Sequence, residues 1–124
     1  MGKPGNTGIG RIIRAARFSS QGLAYAWHQE AAFRQEVVLA AVLLPAAFWL
    51  GRSPTEIAFL IASSLLVLVI ELINSAIEAV VDRIGDEQHV LAGAAKDLGS
   101  AAVLISLVFL AVVWIAVAYD RFLV

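Results

Sequence analysis

The sequence predicts an all-α membrane protein: three transmembrane helices preceded by an amphipathic helix that lies on the membrane surface. Three observations predict it. The 124-residue chain is 60% hydrophobic and only 15% charged, with a mean hydropathy of +0.84, which is too apolar for a water-soluble unit of this length. Its apolar residues gather in three runs, and the polar residues that interrupt them recur at helical rather than strand spacing.

The surface helix comes first, at about residues 8–29. Ile9, Ile12, Ile13 and Ala16 repeat on one side, and Arg11, Arg14 and Arg17 fall on the other. That pattern suits a helix half sunk in the headgroup region. Gly22 is expected to break it, with a second helical stretch from Leu23 passing Trp27, an indole at headgroup level. The first span, at about 31–50, is a short run from Val37 to Leu50 that contains Pro45. It is lengthened backwards through Ala31, Ala32 and Phe33, with Arg34, Gln35 and Glu36 at the interface. Gly51 to Glu56 reads as a tight turn in which Ser53 or Thr55 caps the next helix.

The second span, at about 56–82, begins as an apolar run, Ile57 to Ile70, and turns polar on one side without losing its period. Gly85 is expected to end that helix. The third, at about 98–120, is apolar from Ala101 to Tyr119 except for Ser106, long enough to cross about 30 Å of hydrocarbon. Residues 1–124 therefore read as a single membrane-embedded domain.

Charge decides orientation and excludes some partners. Lys3, Arg11, Arg14, Arg17 and Arg34 precede the first span and Arg83 and Lys96 lie between the second and third, whereas Arg52 and Arg121 stand alone on the other side. The positive-inside rule puts the N-terminus and the second loop in the cytoplasm. A formal net charge of −1 and the lack of a basic run argue against nucleic acid as a partner. There is no cysteine, and no cleavable signal peptide is expected in the polar, Gly-rich Met1–Gly10. Neither a P-loop nor a dinucleotide fingerprint occurs, and His28 and His89 are lone histidines.

The chemistry is expected on the second span. Glu71, Asn74, Ser75, Glu78 and Asp82 are three or four residues apart and so form one narrow stripe. A carboxylate facing lipid costs about 2.5–3.5 kcal/mol even on gentle scales, so such a stripe faces a bundle interior or a wet cavity and marks a functional path. Glu30, at the mouth of the first span, has two readings: one of a pair of carboxylates for Mg²⁺, or an interfacial charge paired with Arg34 one turn on. Lys96 likewise reads as a snorkelling anchor or as a point charge on a transferring phosphate.

Three stretches, Glu30–Glu36, Glu71–Gly85 and Ala95–Val103, resemble the signature segments of the prokaryotic integral-membrane diacylglycerol kinases, and the resemblance runs from Arg11 to the end of the third span. It implies a homotrimer in the bacterial cytoplasmic (inner) membrane. The implied reaction uses MgATP to phosphorylate diacylglycerol to phosphatidic acid at a site near the cytoplasmic interface. By the same resemblance Glu71 is the general base, Asn74, Lys96 and Asp97 are further active-site residues, and Glu30 and Glu78 hold the Mg²⁺. Arg11, Phe18, Glu30, Glu78, Glu87, His89, Lys96 and Asp97 fall on nucleotide positions. Arg11, Arg14, Ala15, Ala31, Arg34, Gln35, Glu71 and Ser100 fall on lipid-substrate positions. Phe18 stands where a tyrosine is usual and Ser20 where a tryptophan is usual, which puts lipid and nucleotide contact there in question.

Some relatives phosphorylate undecaprenol, so that lipid is the alternative acceptor. A rival of another class is a small oligomeric proton or cation transporter with Glu71 at mid-membrane. Transport asks for polarity across the whole bilayer, yet the first half of the second helix offers only Ser63 and Ser64 and the third span only Ser106.

Overall fold

The computed structural model describes residues 7–85 and 89–124, and every element in them is helical. The order is α1 (Gly8–Gln29), α2 (Ala31–Leu50), α3 (Pro54–Ile84) and α4 (Val90–Leu123). The last three are long and apolar enough to cross a membrane. α3 is the central helix; it packs along α4 over the longest interface, along α2 over a shorter one, and α1 touches mainly α2.

α1 runs unbroken through Gly22, contrary to the expected break. A single glycine keeps its backbone donor and costs a helix only about 1 kcal/mol relative to alanine, which the rest of a 22-residue helix absorbs. The interruption falls instead at Glu30, whose extended backbone (φ −119°, ψ 105°) closes α1 and opens α2. Its N–H donates to Ala26 O at 2.9 Å, and its carbonyl accepts from Arg34 N at 3.2 Å.

Pro45 does not stop α2, which continues for 20 residues, about 30 Å at helical rise. The α2–α3 turn is built as its residues suggest. Ser53 Oγ accepts from Glu56 N at 3.2 Å, Glu56 Oε2 accepts from Arg52 N at 3.0 Å, and Pro54 occupies the first helical position, where it has no donor to lose. Gly51 is required there, because a Cβ would approach Ile57 Cγ1 to 2.6 Å.

α3 and α4, at 31 and 34 residues, are longer than a bilayer's hydrocarbon thickness, about 20 residues of helix. That length leaves the ends that carry Glu78, Asp82 and Arg83 on α3 and Lys96 and Asp97 on α4 free to reach beyond the hydrocarbon. The packing follows the logic of lipid as solvent. Small side chains, Ala26, Ala40, Ala47, Ser63, Ser64 and Ser106, are buried between helices, while Val38, Val42, Phe48, Phe59, Ile105 and Ile115 point outward. Lipid is as apolar as leucine, so close backbone approach, not removal from water, favours helix association here. The apolar cluster of Ala47, Leu50 and Leu60, covered by Ile61, Val113, Trp114 and Val117, lies toward the α2–α3 turn, away from the carboxylate stripe. At that same end Arg52 Nη2 reaches Asp120 Oδ2 at 2.5 Å, and Arg121 sits 5.8 Å from the centre of the Trp49 ring.

Candidate active site

α3 turns its polar stripe inward: Glu71 is only 5% exposed, Ser75 6% and Asn74 9%. Helical spacing dictates that these residues share a face, and packing against α2 and α4 decides that the face is buried. Toward the end of the helix the stripe opens, with Glu78 half-buried and Asp82 exposed. Asn74 Nδ2 donates to Glu78 Oε1 at 3.4 Å, while Asn74 Oδ1 and Ser75 Oγ are buried with no protein partner. Ser75 also lines a cavity of about 520 Å³ between α1 and α3, walled by Gly22, Leu23, Ala26, Leu72 and Ala76.

Three helices bring charge to this stripe. From the α1–α2 joint comes Glu30, and with Glu78 it lies close enough for its charge to act on the Glu71 carboxyl. From α2 comes Glu36, near enough to Glu71 for the two carboxyls to act on one another. Glu36 Oε2 is itself buried with no hydrogen-bond partner. From α4 comes Lys96, whose Nζ lies 2.8 Å from Asp82 Oδ1 and also feels the charge of Glu78.

Glu36 was expected at the interface and instead belongs to the site. Phe33 and Ala40, three residues before it and four after, are buried, so Glu36 lies on α2's inner face; apolar residues at that spacing are the signal the sequence offers. The pairing of Glu30 with Arg34 does not form. Arg34 Nη1 instead donates to Trp27 O at 2.7 Å and His28 O at 3.4 Å, capping the carbonyl end of α1, where a cation is favoured.

The other expected site residues are more scattered. Arg11, Ala15 and Phe18 are exposed on α1 and Arg14 is half-buried there; Ala31 and Gln35 are exposed on the first turns of α2, and Asp97 and Ser100 on α4. His89 is exposed and caps α4, its Nδ1 accepting from Leu91 N at 3.0 Å. Glu87 lies outside the described residues.

Among the described residues no three His, Asp or Glu side chains converge as a ready-made metal cage. Two carboxylates and open positions fit Mg²⁺, which keeps waters and takes phosphate oxygens, better than a resident structural metal. Ser63 and Ser64 both donate to Leu60 O, at 3.1 and 2.8 Å, and Ser106 to Val103 O at 2.7 Å. These three hydroxyls are thus turned onto their own backbones, and they do not extend the polar stripe.

A sequence model of prokaryotic diacylglycerol kinase matches residues 17–118. A diacylglycerol kinase of Escherichia coli K12 is 49% identical over 116 residues, 94% of this chain and 95% of the relative. That of Haemophilus influenzae is 50% identical over 108 residues, 87% and 92% of the two chains. The Pseudomonas aeruginosa enzyme is 50% identical over 110 residues, 89% of each. With the family's sequence pattern covering most of the chain and a one-sided carboxylate site between three membrane helices, the protein belongs to the prokaryotic diacylglycerol kinase family.

Proposed function

We propose that this protein transfers the γ-phosphoryl group of ATP to the primary hydroxyl of diacylglycerol, giving phosphatidic acid and ADP. The observation that carries this reading is the depth of Glu71: it is buried in an apolar helix, about two turns further in than Glu78, at the level where a lipid hydroxyl rather than a nucleotide arrives. Glu71 accepts the hydroxyl proton as the oxygen attacks the γ-phosphorus. The bond from that phosphorus to the bridging oxygen breaks, ADP leaves with the electron pair, and Glu71 later returns its proton to water. Such transfer asks chiefly for positioning and charge stabilisation, so no nucleotide-binding fold is needed.

Glu30 and Glu78 would hold Mg²⁺, which supplies charge neutralisation on the phosphates. Asn74 orients Glu78, Lys96 offers a point charge to the moving phosphoryl group, and Asp97 stands one residue further along α4. The exposed arginines of α1 suit phosphates and headgroups at the same surface. The active unit is a homotrimer in the bacterial cytoplasmic membrane, with the N-terminus and the site on the cytoplasmic side, as the family resemblance and the distribution of basic residues support.

The test is purified protein in lipid vesicles with MgATP and either diacylglycerol or undecaprenol. Phosphate is expected on diacylglycerol, and Glu71→Gln is expected to lower transfer by about 10²- to 10⁴-fold while MgATP still binds. Normal turnover by Glu71→Gln would overturn the mechanism, and phosphate on undecaprenol alone would overturn the acceptor.

A further inference from the structure

α4 has two glycines in its first turns, and they stand in opposite surroundings. Gly93 is exposed, and a Cβ there would meet nothing within 4 Å. Gly99 is buried, and a Cβ there would fall on the carboxamide of Asn74, first on Oδ1 and then on Cγ and Cβ. Glycine inside a helix costs about 1 kcal/mol relative to alanine, so at Gly99 the missing side chain has a steric use that Gly93 lacks.

That use bears on the site. The Asn74 carboxamide is planar, so seating its oxygen fixes the direction of its nitrogen. Oδ1 is buried against α4 with no hydrogen-bond partner, and Nδ2 points along α3 to Glu78 Oε1, 3.4 Å away.

We propose that Gly99 is a positioning residue of the phosphoryl-transfer site: its bare α-carbon seats the Asn74 carboxamide against α4 and thereby aims Asn74 Nδ2 at Glu78. This rests on the roles given above to Asn74 and Glu78. Gly99 touches no reacting atom and acts through Asn74 alone.

The test uses the full chain in lipid vesicles, with diacylglycerol phosphorylation followed across a Mg²⁺ titration for Gly99→Ala, Asn74→Ala, the double variant and Gly93→Ala. Gly99→Ala is expected to lower kcat roughly ten- to hundredfold, the scale of a misplaced active-site group, and to raise the Mg²⁺ concentration needed for half-maximal rate. Gly93→Ala leaves both unchanged. Because Gly99 acts through Asn74, the double variant turns over no more slowly than Asn74→Ala. Wild-type rate and Mg²⁺ dependence in Gly99→Ala would overturn the proposal, as would losses that multiply in the double variant.

Should Gly99→Ala not fold, removal of the Asn74 side chain in the double variant is expected to restore folded protein; failure to do so also overturns it. If the wild-type protein leaves diacylglycerol unphosphorylated, the kinase reading fails by itself. The thermal midpoints of the same variants then read the Gly99–Asn74 seat alone, and strictly additive shifts would overturn it.

Discussion

Lys96 Nζ lies 2.8 Å from Asp82 Oδ1, joining the early turns of α4 to the last turns of α3 above the carboxylate stripe. Both side chains are about half exposed, so water screens the pair and it adds little to stability. Its consequence is placement: it holds the ammonium near Glu78 and the mouth of the site.

Lys96→Met is therefore expected to lower phosphoryl transfer by about 10²- to 10³-fold, the loss typical of one charge-stabilising donor, with little change in the thermal midpoint. Asp82→Asn should change the rate far less. An equal loss in both variants, read by phosphate transfer in vesicles, would show that the pair rather than the lysine does the work.

Glu36 and Glu71 present two carboxyls at one place, and depth favours Glu71 as the base. Glu36→Gln keeps the shape and supplies a permanent donor, so it is expected to cost about tenfold, well short of the loss in Glu71→Gln. If the ranking reverses in single-turnover measurements, the proton is taken by Glu36.

Arg34 ties the carbonyl end of α1 to α2 across the joint at Glu30. Arg34→Gln is expected to cost about 1 kcal/mol and to speed amide exchange over the last turn of α1. Through looser placement of Glu30 it also raises the Mg²⁺ requirement. Unchanged exchange at Glu30 in Arg34→Gln would refute the capping role.

Arg52 and Asp120 clasp the opposite end of the bundle, with side chains 45% and 53% exposed. Arg52→Ala is expected to destabilise by less than ~1 kcal/mol, seen as a lower midpoint of thermal unfolding in detergent, with kcat unchanged. A loss of kcat in folded protein would mean that the two ends of the bundle are coupled.

Much of the helix pattern was legible beforehand, because it depends on neighbours along the chain. Ser53, Pro54 and Glu56 announce the start of α3, and Gly85 marks its end. The spacing of Glu71, Asn74, Ser75 and Glu78 announces the inward face. Gly22 misled, since a lone glycine weakens a helix without removing its hydrogen bonds. Between the two readings of Glu30 spacing could not choose, because one turn allows a pair with Arg34 but does not weigh it against the open carbonyls of α1.

Composition and period act within single helices, so three spans and the side of α3 that carries Glu71, Asn74 and Glu78 were both readable from the chain. That Glu36 comes near Glu71, that Lys96 pairs with Asp82 and that Gly99 makes room for Asn74 follows from how the helices pack. Those meetings depend on the rotation and register of one helix against another. Packing of small side chains sets both, and no spacing within a single helix encodes them.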